Sequence, residues 1–435
     1  MTENKKKAAL LSAMMVTGIA IFYLGFEFSS SMESKSALRD PDNLKVSGSP
    51  ISITGNGALA AVADGGDGSS GNPYYIEHRV INGSGFSSSG IMLRDIDAYL
   101  VINNCTVTDT DDNYSGILLW NVTNCMVGNC TIQRCYQGIY TYQCWYGELD
   151  IANNVVSDNS QSGIHLVYDS VNVTVRDNLA EYNGFSGIAI EGTGNYGNIA
   201  WNNTCRYNER HGITLLAESE NNTVAENYIT ENERHGIYLR LSAHGTNISN
   251  NQIYFNNWDG IHIADTNHTH IANNEILGNQ YCIVNEDPYE NQTVTGNTCN
   301  SRPVLSDGLV NPQVGINTND LLSFSVKYTD PDNDPPTSII VTSNQSGFTR
   351  ALVKQDSGDN DYTDGAGFGT SSKVPQGWHR FTFQVSFQGR IIEFLVNTDI
   401  HIEAAPERKI GAPSVITFMA ILAGMGLTVL HQRKK

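Results

Sequence analysis

The hexapeptide Asn208-Glu209-Arg210-His211-Gly212-Ile213 returns unchanged as Asn232-Glu233-Arg234-His235-Gly236-Ile237, 24 residues later. It is the clearest copy in a longer series. Gly-Ile pairs begin at Gly116, Gly138, Gly163, Gly187, Gly212, Gly236 and Gly260, in steps of 22, 25, 24, 25, 24 and 24 residues. A second pattern, [Ile/Val]-x-x-Asn-x-[apolar], keeps the same period. Its Asn slot is filled by Cys105, Cys130, Asn154, Asn178, Asn202, Asn227, Asn251, Asn274 and Asn297. Two features sharing one phase imply a stacked array. Each repeat holds only short apolar alternations, such as Ile261-His262-Ile263, punctuated by Gly and Asn. That pattern indicates strands and turns, not helices. Propeller blades need about 40 residues, and leucine-rich repeats need a Leu framework that is absent. The sequence therefore predicts an all-β chain whose main body is a right-handed parallel β-helix of about nine coils, each built of three short strands.

In such a coil Ile237 and Leu239 point inward and Tyr238 outward, and each inward Ile stacks on the Ile of the next coil. The recurring Asn is expected at a bend. There it tolerates a left-handed backbone and pairs its amide with the Asn one rung away. A buried amide is costly unless paired, so a continuous ladder solves the problem a single Asn would create. The glycines are expected at another corner, where they permit positive φ and close approach.

Outward from the repeats, the 435 residues divide unevenly. Lys5-Lys6-Lys7 and the apolar run after it (1–28) have the form of a signal peptide or N-terminal membrane anchor. A linker (29–49) leads to an N-terminal cap (50–89), the repeats fill 90–302, and a second domain occupies 303–403. A short linker (404–411) precedes an apolar segment with a basic tail (412–435), long enough to span a bilayer as a helix. Both hydrophobic helices place the rest of the chain outside the cytoplasm. The formal net charge is −19, and the two ends carry six of the 26 Lys and Arg, so the external part is more acidic still. Such a surface repels nucleic acid. Asn-x-Ser/Thr sequons are frequent. Asn172, Asn221, Asn247 and Asn267 are the expected glycosylation sites, each at a bend before a strand, whereas Asn202 is expected to be shielded in the ladder.

The opening Ile51-Ser52-Ile53-Thr54-Gly55-Asn56, then Gly71-Asn72-Pro73-Tyr74-Tyr75-Ile76-Glu77, then coils of the form G-I-x-L … I-x-N-N-x-I, resemble the NosD-type right-handed β-helix proteins with PbH1 repeats. The resemblance covers roughly 50–300. It implies the β-helix fold and a place among proteins common on archaeal cell surfaces. The family takes its name from an accessory protein of copper-enzyme maturation. The wider superfamily includes carbohydrate-binding proteins, sugar hydrolases, lyases and epimerases.

Eight cysteines occur, none in a CxxC pair, so zinc-ribbon or thioredoxin-like chemistry has little support. Cys105 and Cys130 replace Asn on adjacent rungs. Parallel strands lie about 4.8 Å apart, within reach of a disulfide, and the two are expected either to bridge or to stack as small buried residues. Beyond 303 the alternation lengthens, as in Phe324, Val326 and Tyr328, or Phe381, Phe383 and Val385, predicting a small antiparallel β-sandwich. The stretch from Tyr328 to Pro336 resembles Ig-like modules of prokaryotic surface proteins. Its Asp330, Asp332 and Asp334 are candidate Ca²⁺ ligands, since alternating carboxylates can converge.

Outward slots form columns along the β-helix. Glu191, Glu218, Arg240 and His262 are the candidates for acid–base work on a polysaccharide, with Glu191 and Glu218 expected to approach each other. His211 should stack on His235. His244, His268 and His270 fall near one bend and are candidate copper or zinc ligands. Trp120, Tyr140, Tyr142, Trp145 and Tyr146 would offer ring faces to sugars. The reading taken is a membrane-anchored extracellular protein that binds carbohydrate or surface-layer proteins without turnover, with Ca²⁺ as the one suggested cofactor. The alternatives are an exported polysaccharide lyase, hydrolase or epimerase, and a metal-handling accessory protein.

Overall fold

The computed structural model describes residues 48–145, 147–286, 291–345 and 347–405. The two terminal hydrophobic segments expected from the sequence lie outside these residues. The chain divides into two compact units, meeting at Arg302 and Pro303.

The first unit is a parallel β-helix. Three ten-stranded parallel sheets run its length, and each coil gives one strand to each sheet. The first sheet carries the Gly-Ile strands, in register as Ile188↔Ile213↔Ile237↔Ile261. The second carries strands such as Val173–Arg176 and the third strands such as Leu179–Glu181. Nine steps separate the first coil from the last, because Ile51–Thr54, Tyr74–Glu77 and Val80–Asn82 already form a coil. A seven-residue helix, Asn56–Val62, follows the first strand and adds the fully buried Leu59 to the core.

The interior is a set of aliphatic columns. Ile188, Ile213, Ile237 and Ile261 are fully buried, as are Leu215 and Leu239 one position over, whereas Tyr238 between them faces out. Each such side chain contributes on the order of 2 kcal/mol on leaving water.

The polar part of the interior differs from expectation. The Asn ladder runs Asn154, Asn178, Asn203, Asn227, Asn251, Asn274, Asn297, with Asn203 in place of Asn202. In each rung the side-chain amide donates to Oδ1 of the next Asn, the backbone N–H donates to the same oxygen, and the amide also reaches back to a carbonyl. For Asn178 these bonds are 3.0, 3.0 and 2.8 Å. The left-handed residue is the one before each ladder position: Asn153, Asp177, Asn202, Glu226, Asn250 and Asn273 all have positive φ. The αL residue turns the chain and the next side chain points inward. Asn202 is thus exposed and donates to Asp177 at 2.6 Å, so its sequon is accessible. Asn172 and Asn221 are exposed as well, whereas Asn247 and Asn267 are half-buried.

A second ladder, unforeseen from the sequence, follows the third sheet: Cys135 leads into Asn159, Asn183, Asn208, Asn232, Asn256 and Asn279. It lies four residues before most of the Gly-Ile pairs, and the repeat glycines are required by the close approach of the next coil's backbone and the packed core beside it. They do not have positive φ. A Cβ on Gly236 would sit 2.7 Å from the Gly260 carbonyl oxygen and 3.0 Å from Asn256 Nδ2.

Cys105 and Cys130 are both buried free thiols, not a bridge. They are the first two rungs of the first ladder. Cys105 N–H donates to the Cys130 sulfur at 3.4 Å, and Cys130 N–H to Asn154 Oδ1 at 2.9 Å. Each thiol donates to backbone carbonyls, Cys105 to Ile76 and Asn103 at 3.5 and 3.4 Å and Cys130 to Gly128 at 3.2 Å.

The second unit is antiparallel. Seven strands form one sheet in the order Val304–Asn311, Leu322–Thr329, Ala366–Ser372, Thr349–Lys354, Ile339–Ser343, Phe381–Phe387, Arg390–Leu395. A three-stranded sheet, in which Ile316–Asn317 pairs parallel with Ile400–Glu403, accompanies it. The alternating Phe324, Val326, Tyr328, Phe381, Phe383 and Val385 are all buried. An immunoglobulin sandwich divides seven strands between two sheets. Here Ile339–Ser343 and Thr349–Lys354 join the would-be halves into one run. The aspartate turn closes on itself through hydrogen bonds. Asp330 is buried, its Oδ1 accepts the N–H groups of Asp332 and Asp334 at 2.9 and 3.2 Å, and its Oδ2 accepts the Tyr328 hydroxyl at 3.1 Å. Those bonds aim the Asp330 carboxylate at its own backbone, and among the described residues the three carboxylates do not converge.

Candidate functional site

The outer face of the first sheet is built from four columns, set by position relative to each Gly-Ile pair. Two residues before Gly stand Phe185, Arg210, Arg234 and Trp258; one before stand Ser186, His211, His235 and Asp259. Two residues after Gly stand Ala189, Thr214, Tyr238 and His262, and four after stand Glu191, Leu216 and Arg240. Backbone bonds from Gly187, Gly212 and Gly236 to the carbonyls of His211, His235 and Asp259 hold the second column in line.

Flat groups dominate this surface. Arg210 lies over the Phe185 ring with its guanidinium carbon 3.5 Å from the centroid, and Arg234 over Trp258 at 5.0 Å. His211 and His235 stack at 5.2 Å with planes 4° apart, as their identical contexts implied. Tyr238 stacks on both, at 4.6 and 5.2 Å. Trp258, at the edge of the stack, remains 43% exposed.

Beneath these rings is a compact polar cluster. Asp259 Oδ2 lies 3.2 Å from His235 Nδ1 and 2.8 Å from His262 Nδ1. All three side chains are about nine-tenths buried, and Glu286 Oε1 lies 3.3 Å from His262 Nε2 on the solvent side. Burial raises the Asp259 carboxyl, but hydrogen bonds from His235 and His262 outweigh it and hold Asp259 below its ordinary value. Burial pushes His235 down despite Asp259. Among the described residues this is the one group of three His, Cys, Asp or Glu side chains whose ligand atoms fall within metal-binding reach.

His211 is the extreme case of burial. Desolvation first, then the charges of His235, Arg234 and Arg210, push its imidazole down to about 2 from 6.5. The unfolded chain binds a proton there below 6.5 and the native state does not. This contribution to stability is therefore complete above pH 6.5 and declines as pH falls towards about 2. His211→Phe keeps a ring between His235 and Tyr238. Urea midpoints of variant and parent are expected to diverge below pH 6.5, with the variant losing less stability on acidification.

The residues singled out from the sequence are distributed differently. Of the four acid–base candidates, His262 alone enters the cluster. Glu191 is engaged by His165, 3.2 Å away, and that hydrogen bond lowers its carboxyl's pKa. Glu218 is not a strand residue: it has positive φ in the bend that follows, lining an open depression with Leu241, Ser242, His244, Asp265 and Asn267. The expected Glu191–Glu218 pair therefore does not form. Arg240 is exposed beside Tyr238. His244, His268 and His270 do not converge. His244 Nδ1 accepts the Asn267 N–H at 3.0 Å, His268 bonds the Asn267 side chain, and His270 faces solvent from the second sheet. Trp120 and Tyr142 meet edge to face at 5.4 Å under Arg94, several coils away, and Tyr146 lies outside the described residues. Asp259 and Glu286 were missed, although the two columns holding His235, Asp259 and His262 are both visible at fixed offsets from Gly.

Residues 166–310 match the family described as periplasmic copper-binding protein (NosD), and residues 40–203 match the right-handed β-helix region family. No curated protein matches. Solved structures that are similar include the periplasmic alginate epimerase AlgG, at 16% identity over 52% of this chain and 68% of that one, with TM-score 0.43. The Azotobacter vinelandii mannuronan C-5 epimerase AlgE4 A-module gives 16%, 62%, 90% and 0.35 on the same measures. DFA-IIIase from Arthrobacter chlorophenolicus A6 gives 14%, 50%, 66% and 0.35.

Proposed function

From a NosD-type right-handed β-helix as the premise, we propose that the outer face of the first sheet binds an extended carbohydrate without turning it over. The observation that carries this reading is the row Phe185, Arg210, Arg234, Trp258 on successive coils, flanked by Tyr238 and Arg240. Rings offer apolar faces to sugar C–H groups, and guanidinium planes pair with carboxylates in bidentate fashion. Coils repeat at about 4.8 Å, so the row runs straight enough to follow a polymer. Three arginines on one face of a chain with net charge −19 favour a ligand carrying acid groups. The terminal apolar segments 1–28 and 412–435 support an external, membrane-tethered location.

Titration of the full chain with neutral and uronate-containing oligosaccharides tests the reading. Binding of the acidic series is expected, with affinity about tenfold weaker in Trp258→Ala and in Arg234→Ala, close to 1.4 kcal/mol each. Equal binding by both variants would overturn the placement. Release of reducing ends or unsaturated uronate would overturn the absence of turnover.

A further inference from the structure

We propose that His235, Asp259 and His262 form a binding site for a first-row divalent transition ion, with Glu286 orienting His262. The inference is independent of the carbohydrate reading, because it uses the buried layer and not the exposed row.

Two observations support it. The first is geometric. A tetrahedral ion with bonds of about 2.0–2.2 Å to nitrogen and oxygen separates its ligand atoms by roughly 3.4 Å. Asp259 Oδ2 stands 3.2 and 2.8 Å from the two imidazole nitrogens, and all three ligand atoms lie within 4.8 Å of one another, so the shorter contact opens by about 0.6 Å to admit an ion. The second is a conflict at one atom. His235 Nδ1 lies 3.3 Å from the Asp259 backbone N–H, which needs its lone pair, and 3.2 Å from Asp259 Oδ2, which needs a proton there. One ring nitrogen cannot answer both, whereas a cation held by the Nδ1 lone pair and by Oδ2 removes the need for a proton between them, at the cost of the long 3.3 Å contact from the Asp259 N–H.

The surroundings fit. His262 presents Nδ1 to the cluster and Nε2 to Glu286, the arrangement in which a carboxylate fixes the tautomer of a metal-bound imidazole. Two imidazoles and one carboxylate suit Zn²⁺ or Cu²⁺ and are poor for Ca²⁺ or Mg²⁺. The residues thus fit the class of ion named in the family description that covers this segment. Solvent or a ligand group would supply a fourth position.

The test uses the full chain with the metal alone. Purified protein is loaded with Zn²⁺ or Cu²⁺, desalted, and assayed for metal. One ion per chain is expected in the parent and in His244→Gln, and none in Asp259→Asn or His262→Gln. Glu286→Gln should retain the site with affinity about 10-fold or more weaker. On the Cu²⁺-loaded parent, electron paramagnetic resonance should show coupling to two imidazole nitrogens, a readout that does not depend on the variants folding. A parent that retains no ion, retention by both Asp259→Asn and His262→Gln, or a spectrum without nitrogen coupling would each overturn the proposal.

Discussion

Asn227→Ala is expected to lower the stability of the β-helix by on the order of 3–6 kcal/mol, far more than removing one polar side chain usually does. Asn227 sits mid-ladder. Its Oδ1 accepts both the backbone N–H and the side-chain amide of Asn203, at 2.9 and 3.0 Å. Its own amide donates to Asn251 Oδ1 and to the Ala200 carbonyl, each at 2.9 Å. Alanine leaves two donors and one acceptor unpaired in a layer where Asn203, Asn227 and Asn251 are 1%, 1% and 0% exposed. Each orphaned buried group costs about 1–3 kcal/mol. Asn202→Ala is the control. It removes one exposed bond to Asp177 and strains a left-handed residue, for roughly 1 kcal/mol. Urea denaturation of the two variants checks the ratio, and hydrogen exchange at the Asn203 amide checks the place. Equal losses in the two variants would remove the ladder from the account of what holds the coils together.

Gly236→Ala should be nearly as damaging for a different reason, on the order of 3 kcal/mol at the upper end of overpacking. The new methyl would lie 2.4 Å from the Ile253 side chain and 2.7 Å from the Gly260 carbonyl oxygen. The side chain can turn, but the carbonyl cannot, because it accepts the Ile237 N–H at 2.9 Å. Gly57→Ala is the opposite case. Gly57 is in the short helix, where an added methyl would meet nothing within 4 Å, and the exchange is expected to raise stability by about 0.5–1 kcal/mol. Thermal midpoints of the two variants should move in opposite directions. A neutral Gly236→Ala would mean that neighbouring coils can part locally at no cost.

The architecture was legible because it is written in residues that have one use. An Ile every 22 to 25 residues beside a Gly has no helical reading, and the coils stack as the period requires. The polar details were less legible. Asn202 and Asn203 are adjacent and alike in sequence, and only the turn geometry decides which points inward. The second ladder was equally periodic, but its Asn159, Asn183 and Asn208 read as loop residues until the corner places them inside. The cluster at Asp259 was hidden by distance along the chain. His235 is 24 residues from Asp259 and 27 from His262, so the three meet only when two columns of consecutive coils are superposed. Chemistry on this fold is read down the stack, whereas local motifs are read along the chain.

The repeated hexapeptide has a consequence for how such a molecule changes size. Each coil meets its neighbours through the same isoleucines and amides, so a duplicated coil inserts without altering the cross-section. The body behaves as a ruler graduated in steps of about 4.8 Å. Lineages can lengthen or shorten the reach between its two ends one graduation at a time while every other contact is conserved.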